Sequence, residues 1–342
     1  MGDGLDADIE EAVGGLRAAI EKAPPASAFD DPFGQIILGR LISDVQEFCA
    51  SSRLPVKNGV VYGVSPAFGL RAAQREVFDT GTSIIELSVP FLTFANQMSW
   101  ALAETLVHEQ MPDGRWRVGF GPDEIAASLR SRPTAIASWI KILAWYGAYG
   151  WISPNERRKA STPSVASVRS QILRACELFA VAHEFGHHIM NHGQVSSSEG
   201  RSDALSDELE ADTFARFVCL DLARRGSPLN FFMFSGTGGV VMLGALDLVR
   251  RARSVLETGS DSAPIPTSHP PLKSRIENLG KVDQVLVADE AKKCADARRC
   301  FGDALELVWR AVLPAIKRLH DQGLRPEEGH SDLNGWLPLE DF

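Results

Sequence analysis

The sequence predicts an α+β protein that is predominantly helical with a small β-sheet. Long segments place apolar residues at helical spacing, and one stretch between Gly59 and Val89 switches to β-branched runs bounded by turn residues. The composition, 44% hydrophobic and 23% charged, is that of a globular chain, and 342 residues suit one or two domains. With 35 basic against 44 acidic residues the net charge is −9. Such a chain lacks the basic surface that non-specific nucleic-acid binding needs to displace phosphate counterions.

Residues 1–58 read as packing helices: Ile9, Val13, Leu16, Ala19 and Ile20 end at Pro24-Pro25, and a second amphipathic run spans Ile36 to Phe48. Val60-Val61-Tyr62 before a Gly63 turn, and the run Thr82 to Val89 after Asp79-Thr80-Gly81, predict a sheet of two to four strands. A helix from Phe91 to Glu109 follows and breaks at Met111-Pro112-Asp113-Gly114. Pro122-Asp123-Glu124 then opens a helix bearing Ile125, Ala126 and Leu129, Ser131-Arg132-Pro133 turns it, and a second helix carries Ile136, Ile140 and Leu143. This 121–152 unit has a helix-turn-helix outline. Its second helix offers only Lys141 among charges, so packing or contact with a regulatory partner fits it better than reading DNA.

A polar, basic linker over 153–167 leads into the most regular helix, about Val168 to Asn191, and a Ser-rich loop at 196–200 separates it from a helix over Asp203 to Arg224. No charge occurs between Arg225 and Asp247, a length that could span a bilayer, but Pro228, Gly236, Gly238 and Gly239 interrupt it. A loop entering a buried helix is expected, without membrane insertion. Pro264, Pro266, Pro270 and Pro271 mark a loop before helices near 272–288 and 290–318. The expected organisation is 1–58 packing helices, a catalytic core from 59–95 and 168–320, a helical insertion at 96–167 and a tail at 321–342. Five scattered cysteines make no disulfide framework, and the acidic start (Met1-Gly2-Asp3) is unlike an export signal, so a cytoplasmic protein is expected.

The chemistry lies in His183-Glu184-Phe185-Gly186-His187. Two His at i and i+4 stand one turn apart on one helix face, where both imidazoles can bind one metal while the Glu between them takes a proton from water. At about 100° per residue, Ile172, Cys176, Phe179, Ala180 and Met190 share that face, so the two His continue a buried stripe. Two unpartnered imidazoles there would each carry a desolvation cost, which favours a shared zinc ion. A third ligand is expected from the next helix, where Glu208 and Asp212 face the core beside Ala215 and Cys219. Glu208 is the ligand candidate, and Asp212, one turn on, could accept from the far ring nitrogen of a ligating His. Asp207 and Glu210 point away on the same wheel. His188 and His192 repeat the spacing without a Glu between them and read as surface or linker histidines.

These motifs resemble the gluzincin metallopeptidases, in particular the HtpX and CAAX-prenyl protease family and the soluble ImmA/IrrE-like and Lit-type peptidases. The resemblance rests on His183-Glu184-x-x-His187, on Glu208-Leu209-Glu210-Ala211-Asp212 and on Ser268-His269-Pro270-Pro271-Leu272-Lys273-Ser274-Arg275-Ile276-Glu277. It implies a zincin-like core, Zn2+ as cofactor, a protein or peptide substrate, a stress or phage-response setting, and His269 and Arg275 acting on the oxyanion of the transition state. Pro66-Ala67-Phe68 followed by strand 83–89 is similar to the substrate-binding edge strand of that family. The chain departs from the membrane enzymes in lacking clear membrane helices and in its short interval from His187 to Glu208.

The residues thus point to a zinc endopeptidase with metal ligands His183, His187 and Glu208, catalytic Glu184, and Asp212 behind the ligands, to which the resemblance adds His269 and Arg275 as catalytic residues. The alternative is a regulatory protein that binds DNA or a partner through 121–152 and has a sensory or structural zinc site.

Overall fold

The computed structural model describes residues 30–56, 59–67, 69–77, 82–113, 116–152, 161–192, 204–262 and 269–327. The helix expected before Pro24, the Ser-rich loop at 196–200, most of the 153–167 linker, Phe68, Pro264, Pro266, Ser268 and the tail past 327 lie outside them.

Helix α1 (Gly34–Ser51) buries Leu38, Leu41, Ile42 and Val45, the spacing of one helical face. Three strands follow: β1 (Val60–Ser65), β2 (Ala72–Val77) and β3 (Thr82–Ser88). Their order is β1-β3-β2, with β1 parallel and β2 antiparallel to β3. Two expectations change here. Gly63 continues β1 opposite Glu86. The strand at 82–88 is central, so it cannot be the edge that receives a substrate. The neighbour that covers it, β2, is Ala-Ala-Gln-Arg-Glu-Val, which has no clear apolar alternation and owes its strand to pairing with β3.

Helix α2 (Val89–Thr105) starts under a cap in which Ser88 Oγ accepts from the Phe91 N–H. It ends four residues sooner than the sequence suggests. Val107–Gln110 is strand β4, a hairpin with β5 (Trp116–Gly119), because Met111-Pro112-Asp113 makes a turn between strands. Helices α3 (Pro122–Ser131) and α4 (Pro133–Tyr149) adjoin across Arg132, as expected from Pro122 and Pro133 at their first positions. They sit in the common core. The Trp139 indole donates to Thr105 Oγ1 (3.1 Å), the Tyr146 hydroxyl donates to Pro90 O (3.2 Å), and Phe94 meets Tyr146 edge to face at 5.0 Å.

Helix α5 (Pro163–Met190) begins five residues before the expected start, with Thr162 as its N-cap and Asn191 in the left-handed region (φ +56°) as its stop. It runs through the centre, touching α1, α2, β2, β3 and α6 (Ala204–Arg225). The short α7 (Phe231–Ser235) and the long α8 (Thr237–Thr258) occupy the uncharged stretch. Gly238 and Gly239 are contact points here and do not break the helix. A Cβ on Gly238 would fall 2.6 Å from Ala175 Cβ, and one on Gly239 2.8 Å from Phe179 Cε2, so the two glycines let α8 lie against α5. Among the described residues no helix is long and apolar enough to cross a membrane. Helix α9 (Leu272–Leu279) passes into a 3-10 turn (Gly280–Val285), and α10 (Ala288–Asp321) closes the fold against α8, α3 and α4.

Candidate metal centre

Helices α5 and α6 approach at Gly186, where a Cβ would stand 3.2 Å from Ala211 Cα and from Phe214 Cδ1. That contact sets the site. One turn of α5 on either side of it carries His183 and His187, and one turn of α6 carries Glu208 and Asp212.

His183 Nε2 and His187 Nε2 are 3.1 Å apart, Glu208 Oε2 is 3.4 Å from the first and Glu208 Oε1 is 3.4 Å from the second. These three residues form a group that could hold a metal ion. The edge of a tetrahedron around zinc, with bonds of about 2.0–2.1 Å, is about 3.3–3.4 Å. The His–His contact and the two His–Glu contacts, made through different carboxylate oxygens, lie near that length, and one ligand atom from each residue lies within 4.8 Å of the others. A second observation agrees: Glu208 Oε2 is buried and makes no hydrogen bond. Its polar neighbours His183, His269 and Arg275 stand 3.4, 3.5 and 3.5 Å away, and a closer cation would complete it.

Behind the ligands, His183 Nδ1 faces Asp212 Oδ1 at 3.0 Å. Asp212 is fully buried and is gripped from its other side by Arg275 of α9, whose Nε and Nη2 donate to Oδ2 and Oδ1 at 2.7 Å each. Arg275 Nη2 and His269 Nε2 each come within 3.5 Å of Glu208 Oε2. Glu184 is buried on α5. The structure therefore brings six of the seven residues singled out from the sequence into mutual contact, and the seventh, Glu184, is buried beside His183 on α5 with its charge acting on Arg275. Arg275 is turned toward the two carboxylates of α6.

The electrostatics follow from this crowding. Burial alone would depress the His183 imidazole, but Glu208 and Asp212 outweigh it and raise it to about 9. Burial would raise Glu208 and Asp212, yet His183 holds Glu208 well below the usual carboxylate range, and Arg275 holds Asp212 down. His269 is pushed down to about 4, by burial first and by the Arg275 charge, so it is neutral near pH 7. Cys219, on the α6 face of Glu208, is a core thiol raised to about 12 by burial.

Other residues gain partners that their spacing did not suggest. His188 is buried, and its Nδ1 meets Ser83 Oγ at 2.8 Å, which in turn accepts from Gln74 Nε2 at 2.6 Å; this chain ties α5 to β3 and β2. The His192 side chain is only 8% exposed, with Nδ1 2.9 Å from His187 Nδ1. Asp207 and Glu210, expected to point away, lie 3.7 and 3.4 Å from His192 Nε2. A signal for His192 was present in Asn191, a residue that tolerates the left-handed turn which folds the chain back on the helix.

The fold and the site define a mostly helical protein with a His-His-Glu trio, His183 buried and His187 and Glu208 partly exposed, and a buried acid beside it, the equipment of a hydrolase. Residues 134–292 match the family model of Peptidase U49, which indicates a peptidase and spans α4 through α9 with every site residue. No curated protein and no solved structure matches the chain.

Proposed function

We propose that the chain is a zinc-dependent endopeptidase of gluzincin type that cleaves a cytosolic protein, in the stress or phage-response setting that its resemblance implies. The convergence of the two Nε2 atoms, 3.1 Å apart, with the Glu208 carboxylate, whose Oε2 lies 3.4 Å from one and Oε1 3.4 Å from the other, carries this reading. His183, His187 and Glu208 would hold the metal, which when bound supplies a Lewis acid for the scissile carbonyl and lowers the pKa of water. Glu184 accepts the proton of the attacking water and delivers it to the leaving amine. His269, neutral and at the rim of the carboxylate, offers a ring N–H to the developing oxyanion. Arg275 is a positioning residue in this scheme, because its bidentate bond fixes Asp212 and through it His183. An extended substrate pairs with β2, the sheet edge beside α5, in place of the central β3.

The exposed side of α4 supplies little for DNA: Trp139, Ile142, Leu143 and Tyr146 are buried, leaving Lys141 as its one charge.

Metal analysis of the purified chain beside Glu208→Ala and His187→Ala tests the reading. One zinc per chain, lost in both variants, and proteolysis abolished in Glu184→Gln with zinc retained are expected. Proteolysis surviving in Glu184→Gln, or wild type that takes up no zinc, would sink it.

A further inference from the structure

The contact between His187 and His192 has no part in the scheme above. Their Nδ1 atoms are 2.9 Å apart and the rings stand at 70° with centroids 5.0 Å apart. Two imidazole nitrogens at that distance share one proton, so one ring donates and the other offers a lone pair. Local chain geometry creates the contact. Asn191 ends α5 at φ +56°, the His192 N–H bonds to His187 O at 3.0 Å, and the chain doubles back so that the side chain of 192 reaches that of 187. On its far side His192 Nε2 faces two carboxylates from the start of α6, Glu210 at 3.4 Å and Asp207 at 3.7 Å. A proton on Nε2 satisfies these carboxylates. Nδ1 of His192 is then the acceptor and Nδ1 of His187 the donor, which leaves the His187 Nε2 lone pair aimed at Glu208 and His183.

We propose that His192 is a positioning residue that fixes the tautomer and ring orientation of His187 for metal binding, the counterpart of Asp212 behind His183. The inference rests on the metal reading of the site. It also accounts for Asp207 and Glu210, which orient His192 and tie the first two turns of α6 to the turn that ends α5.

The test uses the full chain with zinc alone as probe. In wild type, long-range proton–nitrogen correlation of labelled histidines should find His192 protonated at Nε2 and bare at Nδ1. His192→Ala should fold with wild-type helicity and bind zinc roughly 10–100-fold more weakly. His192→Asn, whose amide oxygen can accept the same N–H, should recover most of that loss, a rescue that mere packing would not give. Were His192→Ala to misfold, the wild-type tautomer and the Asn variant decide. A His192 protonated at Nδ1, or zinc affinity equal to wild type in His192→Ala, overturns the inference alone. Wild type that takes up no zinc overturns the metal reading and this inference with it.

Discussion

Glu208 shows how much of the site is written in single side chains. Its Oε1 faces His187, while Oε2 lies buried among His183, His269 and Arg275 without a hydrogen bond. In that setting His183, raised to about 9, keeps a proton that a zinc ion bound at the proposed site would have to displace. Zinc affinity should therefore climb as pH rises from about 6.5 toward 9 and level off above, with about one proton released per ion from this histidine below pH 9. Titration calorimetry in buffers of different ionisation enthalpy reads that proton count, and an affinity flat across the interval would contradict it. The stability sign is the opposite: without metal, the raised imidazole stabilises the fold below pH 6.5, an effect lost as pH passes 9. Arg275 supports a second prediction. Arg275→Leu removes the bidentate partner of fully buried Asp212, leaving it the His183 contact, and should cost about 3 kcal/mol in urea unfolding. Adding Asp212→Asn should return part of that loss; a single variant within 1 kcal/mol of wild type, about the worth of one ordinary hydrogen bond, would show that the pair is not what holds α9.

At the scale of elements, the α5–α6 contact at Gly186 decides whether the donors converge. A valine there must push Ala211 and Phe214 away, since even a Cβ would sit 3.2 Å from both. Gly186→Val is expected to destabilise by about 1–3 kcal/mol and to weaken zinc binding, because α6 cannot shift without moving Glu208. Unchanged zinc affinity in a folded variant would argue that the helices have slack. This part of the site was legible in the sequence: Glu184 between two His at one turn, and Glu208 and Asp212 one turn apart, are periodicities that a helix converts directly into a shared face. The α3–α4 boundary was also legible, through Pro122 and Pro133. What escaped were features that depend on remote pairing. Ala72–Val77 becomes a strand only beside β3, the His188–Ser83–Gln74 link joins residues far apart in the chain, and His192 needs the turn at Asn191 to reach His187.

For the molecule as a whole, one contiguous core joins every layer, from Leu38 in α1 to Ile316 in α10. The segment 96–167, which the sequence sets apart, contributes Trp139, Leu143 and Tyr146 to that core, because its apolar faces read the same whether they pack on each other or on α8 and α10. Inside it sits Glu177 of α5, raised to about 7 by burial, with Asp31 adding to the rise and Arg174 and Arg169 opposing it. A carboxyl raised above its unfolded value favours the protonated fold, so this group costs stability progressively as pH rises from about 4.5 through 7. Glu177→Gln should be the more stable protein at pH 8, by about 3 kcal/mol at most, and lose that advantage near pH 4.5. Denaturant melts of both proteins at the two pH values check the sign, and an advantage that persists in acid would point to packing instead of charge.

If a substrate pairs with β2 as proposed, the place of β3 between its two neighbours fixes the polarity of that peptide. β2 runs antiparallel to β3, so a guest laid antiparallel on the outer edge of β2 travels in the direction of β3, its amino end opposite Val77 and its carboxyl end opposite Ala72. A cleavable peptide and the same residues in reverse order would then present different groups to Glu184, and the reversed peptide should not be cut.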